Sequence, residues 1–190
     1  MKQLRYILKT MRPRQWPKNA FVFAALVFDR QLIALDSLLI TTYAFILFCL
    51  ASSLVYIIND LTDIESDRLH PQKRHRPLAS GKLTKRTALI GIAFLALLIF
   101  PVSFFVDPGL GIILSGYFIL MLAYSLWLKH VALIDVMIIA AGFVLRVAAG
   151  VVIIETQRFS PWLFVATTFL ALFIGLGKRR AEIFLLQTEA

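Results

Sequence analysis

The sequence predicts an all-α fold, a polytopic bundle of membrane-spanning helices. Three observations carry that expectation. Of the 190 residues 59% are hydrophobic and only 16% charged, with a mean hydropathy of +0.81. A soluble domain of this size needs a larger polar fraction to cover its surface, so the apolar excess needs lipid as its solvent. The apolar residues, 16 phenylalanines among them, come in long unbroken runs, a pattern foreign to disordered chains. The charges are gathered between those runs.

A spanning helix needs about 20 mostly apolar residues. The first candidate, Pro17–Leu35, is interrupted by Asp29 and Arg30. Its core AFVFAALVF (20–28) runs into that charged pair rather than into a small-residue cleavage pattern, so it is expected to stay in the protein and not to be removed as a signal. Ser37–Ile58, Thr87–Val106, Gly109–Leu128 and Val131–Ile154 are each long enough to span, and Pro161–Leu176 is short. The expectation is six spans in one membrane domain covering 1–190, with a charged loop at 59–86. The final IFLLQTEA reads as the start of another apolar element, so the chain is expected to be the front of a longer protein.

Seventeen of the twenty Lys and Arg residues fall on one side of this arrangement. That bias predicts a multi-pass protein of the inner (plasma) membrane with both ends and the charged loop in the cytoplasm. A net charge of +9 could suit nucleic acid, but its placement between apolar runs suits an anionic leaflet instead, and no nucleic-acid partner is expected. The only cysteine, Cys49, lies inside an apolar run, where it reads as a packing residue and excludes an intramolecular disulfide.

The charged loop begins NDLTDIESDRLHPQKRHRPLASG. Asn59, Asp63 and Asp67 are spaced four apart, and on a helix continuing from the second span they share one face, with Asp60 close to the same stripe. Pro71 ends the helical pattern. Acids gathered on one face repel one another unless a cation sits among them. Mg²⁺ suits such oxygen donors, and when few carboxylates hold it, substrate phosphates complete its shell. Lys73, Arg74 and Arg76, with Arg68, follow directly and could bind the phosphate oxygens that the metal leaves free. A solvated loop of mixed charge is the plain alternative. The regular spacing, the adjoining membrane helix and the acid-then-base order favour the metal and diphosphate reading.

Arg146 stands near the middle of the fifth span, where a charge costs about 2.5–3.5 kcal/mol on insertion scales. Asp135 is eleven positions earlier, about 16 Å along the axis and too far for a direct pair. An acid on another span and a bound phosphate both remain open as its partner. Lys18 and Lys129 sit at the charged boundary, where snorkelling to lipid headgroups is the ordinary role. Lys178-Arg179-Arg180 could likewise be a positive-inside anchor. His70, His75 and His130 show no metal-ligand spacing, and no Ser/His/Asp set, phosphate loop or dinucleotide fingerprint is visible.

Asn59-x-x-x-Asp63-x-x-x-Asp67 after the second span resembles the first aspartate-rich motif of the UbiA prenyltransferase superfamily. RPRQWPKN (12–19), the extended charged loop, YSLWLKH (124–130) with Asp135, and GFVLRVAAG (142–150) resemble its decaprenyl-phosphate phosphoribosyltransferase branch. The resemblance covers essentially the whole chain. It implies a helical bundle of about nine spans around a central cavity, of which this chain would supply about six. It also implies Mg²⁺-dependent transfer of a 5-phosphoribosyl group from phosphoribosyl pyrophosphate to a polyprenyl phosphate, releasing pyrophosphate and feeding cell-wall arabinan synthesis. Asn59, Asp63 and Asp67 would hold the metal, with Asp60 in support. Lys18, Lys73, Arg74, Arg76, Tyr124, Lys129, Arg146, Lys178 and Arg179 are the candidates to contact substrates. Self-association is left open.

Two departures from the general superfamily pattern bear on the substrate. GKRRAE (177–182) stands where a second aspartate motif is usual, and Tyr124-Ser125 replaces the usual Tyr-Pro. Both agree with the phosphoribosyl branch. The alternatives are prenyl transfer from a prenyl diphosphate to an aromatic or other acceptor, and a transporter or scaffold whose charged loop only sets orientation.

Overall fold

The apolar stretch 37–58 contains neither Gly nor Pro, and it folds within one long helix, α3 (Leu35–Thr62). In the computed structural model, which describes residues 2–128, 131, 133–154 and 160–188 with the side chains of 178 and 182–188 excepted, α3 is the central post of a helical bundle. Before it lie α1 (Lys2–Thr10), a 3₁₀ helix over Pro13–Phe23, and one short α-helix, α2 (Ala24–Phe28). After it come α4 (Ile64–Leu69), a short 3₁₀ turn (Lys73–His75), and then α5 (Lys85–Val106), α6 (Pro108–Leu126), α7 (Ile134–Ile153) and α8 (Pro161–Thr188).

Among the described residues five helices are long and apolar enough to cross a membrane: α3, α5, α6, α7 and α8. Their outward faces carry large apolar side chains such as Phe94, Leu97, Phe105 and Phe173, all exposed, as lipid-facing residues must be. Capping explains the sharp α5–α6 corner. Asp107 precedes Pro108, which restricts it to extended backbone, and its carboxylate accepts the Leu110 N–H at 2.7 Å to cap α6. Thr84 caps α5 by accepting the Thr87 N–H.

The expected first span, Pro17–Leu35, needs correction. The ordered segment begins earlier, at Pro13, ends at Phe28, and is not one long α-helix. Pro13 and Pro17 withhold two N–H donors, and the chain answers with an unusually long 3₁₀ helix. The taller 3₁₀ rise of about 2.0 Å per residue lets these 16 residues reach about 30 Å, close to the thickness of a hydrocarbon core. The segment runs from Arg12 beside Asp60, at one end of α3, to Asp29, whose partner Gln31 also bonds Ser37 at the other end. It is wedged between α3 and α7. Gly150 permits that fit: a Cβ there would overlap the carbonyl oxygen of Val22.

Two further features differ from the expectation. The last span does not stop at Leu176, because α8 continues through the basic cluster to Thr188. The basic N-terminus is an amphipathic helix, α1, whose Ile7 packs over Gly91 of α5 while Gln3 bonds the backbone of Lys82 and Thr84. It closes the end of the bundle that carries the charged segment.

Candidate functional site

The RPRQWPKN motif folds as the first turns of the 3₁₀ helix, and three-residue periodicity decides where its side chains go. Trp16, Asn19 and Val22 fall on one face. Trp16 donates through Nε1 to Ser53 Oγ at 3.1 Å, and Asn19 donates to Ser52 Oγ at 3.3 Å and Cys49 Sγ at 3.4 Å. Lys18 and Phe21 fall on the next face, toward α7, where Phe21 meets Phe143 edge to face. Arg12, just before the first proline, has φ of 53°. A non-glycine residue in the left-handed region is strained. Here it is held by its ion pair to Asp60 at 2.5 Å and by stacking over the Tyr56 ring at 4.7 Å.

These elements enclose a cavity of about 360 Å³, a size suited to a small ligand. Each helix contributes one stripe. From α3 come Ser52, Val55, Tyr56 and Asn59, from α6 Tyr117, Met121, Tyr124 and Ser125, and from α7 Ile139, Phe143 and Arg146. Arg12 and Lys18 complete the wall. Among the described residues its lining holds Lys18, Arg146 and Arg12, the last paired with Asp60, and no carboxylate, so its field favours an anion. A second, apolar cavity of about 370 Å³ lies between the 3₁₀ helix, α7 and α8, and Lys18 and Phe143 border both.

Arg146 is buried at the cavity wall. Its Nε donates to Asn19 Oδ1 at 2.8 Å, Nη1 to the Gly142 carbonyl at 2.7 Å and Nη2 to Tyr117 Oη at 2.9 Å. Of the two partners left open by the sequence, an acid on another span is not found among the described residues. Asp135 instead pairs with Arg179, joining the start of α7 to α8.

At the rim stands the acid-rich turn. Asn59 accepts a hydrogen bond from Ser125 Oγ at 2.5 Å and faces the cavity. Asp63 is half-buried at the joint between α3 and α4, where the helix breaks for one residue and resumes. Asp60 and Asp67 are buried and turned to arginines. Arg76 Nη1 lies 3.2 Å from Asp60 and 2.7 Å from Asp67, so the charged segment folds back on its own acids. Lys73 and Arg74 are exposed and do not line the cavity. Tyr124 lines it. Lys129, and the side chain of Lys178, lie outside the described residues.

Among the described residues no group of three or more acid, His or Cys side chains is arranged to hold a metal by itself. The donors Asn59, Asp63 and Asp67 are all oxygen and stand on consecutive turns, with Asp67 engaged through Oδ2 by Arg76. That set fits Mg²⁺ shared with phosphate oxygens rather than a cation caged by protein alone. The sequence missed Arg12, Asn19, Tyr117 and Ser52. Only Asn19 carried a signal, as an amide inside an otherwise apolar and basic motif.

A cation-lined cavity among spanning helices, with an acid-rich turn at its rim, defines a membrane-embedded protein whose internal cavity favours an anion. The chain belongs to the UbiA prenyltransferase family, whose pattern matches residues 20–177. It is 37% identical over 185 residues to decaprenyl-phosphate phosphoribosyltransferase of Mycolicibacterium smegmatis, covering 93% of this chain and 57% of that one. It is 36% identical over 189 residues to the enzyme of the same name from Corynebacterium glutamicum, covering 94% and 55%. The chain thus spans little more than half the length of these relatives. Its fold matches that of a UbiA homologue from Archaeoglobus fulgidus bound to GPP and Mg²⁺, with a TM-score of 0.71 at 22% identity over 88% of this chain and 60% of that one.

Proposed function

We propose that this chain forms the front of a membrane phosphoribosyltransferase that moves a 5-phosphoribosyl group from phosphoribosyl pyrophosphate to a polyprenyl phosphate. The observation that carries this reading is the cavity with Arg12, Lys18 and Arg146 on its wall and no carboxylate among its described lining residues, set beside the Asn59–Asp67 turn. A donor with three phosphate groups and a phosphorylated lipid acceptor together need more positive charge than a metal at one motif supplies. The relatives named for this reaction support it.

In the reaction a phosphate oxygen of the lipid attacks C1 of the ribose. The C1–O bond to pyrophosphate breaks and pyrophosphate leaves with the electron pair. A lipid phosphate is already anionic at neutral pH, so no general base is required. Asn59, Asp63 and Asp67 would hold Mg²⁺ together with the diphosphate oxygens, and the ion would neutralise charge on the leaving group. Arg12, Lys18 and Arg146 bind phosphates, Tyr124 and Ser125 shape the wall opposite, and the apolar cavity beside Lys18 receives the first isoprene units of the acceptor. The lysine and arginine bias supports a cytoplasmic position for this end of the bundle. The product is the kind of phosphoribosylated lipid from which cell-wall arabinan precursors derive.

Labelled phosphoribosyl pyrophosphate and polyprenyl phosphate, given to the purified protein, should yield a labelled lipid and pyrophosphate only with Mg²⁺ present. Full activity of Asp63→Ala would remove the metal assignment. Transfer from a prenyl diphosphate that phosphoribosyl pyrophosphate fails to inhibit would replace the sugar donor with a lipid one.

A further inference from the structure

Arg146 is held by neutral groups: its N–H groups donate to the Asn19 amide, the Gly142 carbonyl and the Tyr117 hydroxyl, and its guanidinium carbon lies 4.7 Å from the Tyr117 ring centre and 5.3 Å from that of Phe143. Among the described residues no carboxylate stands within ion-pair distance of it. A buried guanidinium without a counterion is costly, and proteins ordinarily supply an acid. Position 19 is where that acid would sit, since aspartate has the shape of asparagine and could accept from Nε in the same way. The amide is not indifferent to its orientation. Its nitrogen donates to Ser52 and Cys49, which turns its oxygen to Arg146. Among the described residues three of the five guanidinium N–H groups are thereby committed, and the residue borders the cavity.

We infer that Asn19 is a positioning residue that aims the Arg146 guanidinium into the cavity while leaving its charge unneutralised, so that a phosphate group of the bound ligand serves as its counterion. The inference rests on the cavity being the phosphate site proposed above. It explains why the RPRQWPKN segment carries an amide at a buried position facing a cation. It also gives the 3₁₀ form a purpose, because a three-residue period puts Lys18 toward the cavity and Asn19 behind Arg146 on adjacent positions.

The test compares wild type, Asn19→Asp and Asn19→Ala in calorimetric binding of inorganic pyrophosphate and of phosphoribosyl pyrophosphate with Mg²⁺, in steady-state kinetics and in thermal unfolding. Asn19→Asp keeps the acceptor and adds the missing countercharge. It should unfold no earlier than wild type, yet bind both anions about tenfold or more weakly, with KM raised more than kcat is lowered. Asn19→Ala keeps the charge and should lose less affinity than Asn19→Asp. A purely structural asparagine gives the reverse order, with Asp tolerated and Ala worse. That reverse order, or equal affinities in all three proteins, overturns the inference and leaves the phosphate reading standing. Wild-type protein that binds neither anion sinks the phosphate reading itself, and the inference with it. Asn19→Glu, run in parallel, brings the same charge on a longer arm and decides the matter if Asn19→Asp does not fold.

Discussion

Arg76 ties the charged segment to the bundle, and replacing it should loosen that segment without disturbing the spanning helices. Its guanidinium serves both Asp60, at 3.2 Å, and Asp67, at 2.7 Å, two carboxylates only 2–3% exposed. Removing one partner of a buried ion pair costs about 3–5 kcal/mol, because the other charge is left stranded. Two features reduce that figure here. Asp60 keeps Arg12 at 2.5 Å, and the Arg76 side chain is itself 24% exposed, so water can reach part of the site. About 2–3 kcal/mol is therefore expected for Arg76→Gln. Detergent-based unfolding titrations would measure the loss, and amide exchange would localise it to residues 70–84 rather than to α5–α7. Arg74→Gln, which alters an exposed neighbour, is the control and should stay within about 0.5 kcal/mol. Equal effects of the two substitutions, or unchanged exchange in 70–84, would refute the reasoning that Arg76 latches the acids.

Gly150→Ala should destabilise by about 1–3 kcal/mol in the same titration, since its methyl would overlap the rigid Val22 carbonyl; a neutral result would show that α7 and the 3₁₀ helix are not in such close approach. Ser125→Ala removes the donor that fixes Asn59, and should cost about 1 kcal/mol and raise the Mg²⁺ concentration for half-maximal activity by about tenfold; an unchanged Mg²⁺ titration would separate Asn59 from the metal. Arg146→Met should fold within about 2 kcal/mol of wild type, because no carboxylate is stranded by it, while transfer activity falls by about a hundredfold or more. Retained activity would return Arg146 to a structural role.

The helical class, the order of the long helices and the concentration of chemistry at one charged end are legible in the sequence, because hydropathy and charge spacing are local properties. Lys18, Asn59, Tyr124 and Arg146 are legible as well, and all four do line one cavity. The first crossing is not, since a residue count assumes α-helical rise and two prolines impose the longer 3₁₀ one. Nor is the amphipathic α1, because nine residues, three of them charged, do not announce what they will cover.

Hydropathy and the order of charges along the chain dictate which groups must leave water and which end must carry the charge. Which charge meets which partner depends on how the helices pack. Arg76 lies nine positions from Asp67, Arg12 lies 48 from Asp60, and Asn19 lies 127 from Arg146. Their pairing depends on how the segment folds back and on the phase of the 3₁₀ helix against α3 and α7. Ion pairs and buried hydrogen bonds weaken steeply with distance and misalignment, so a periodicity that places a residue on a face cannot say whether its charge is already spent. In this chain that difference separates Asp60, held by two arginines, from Arg146, held by neutral oxygens and aromatic rings.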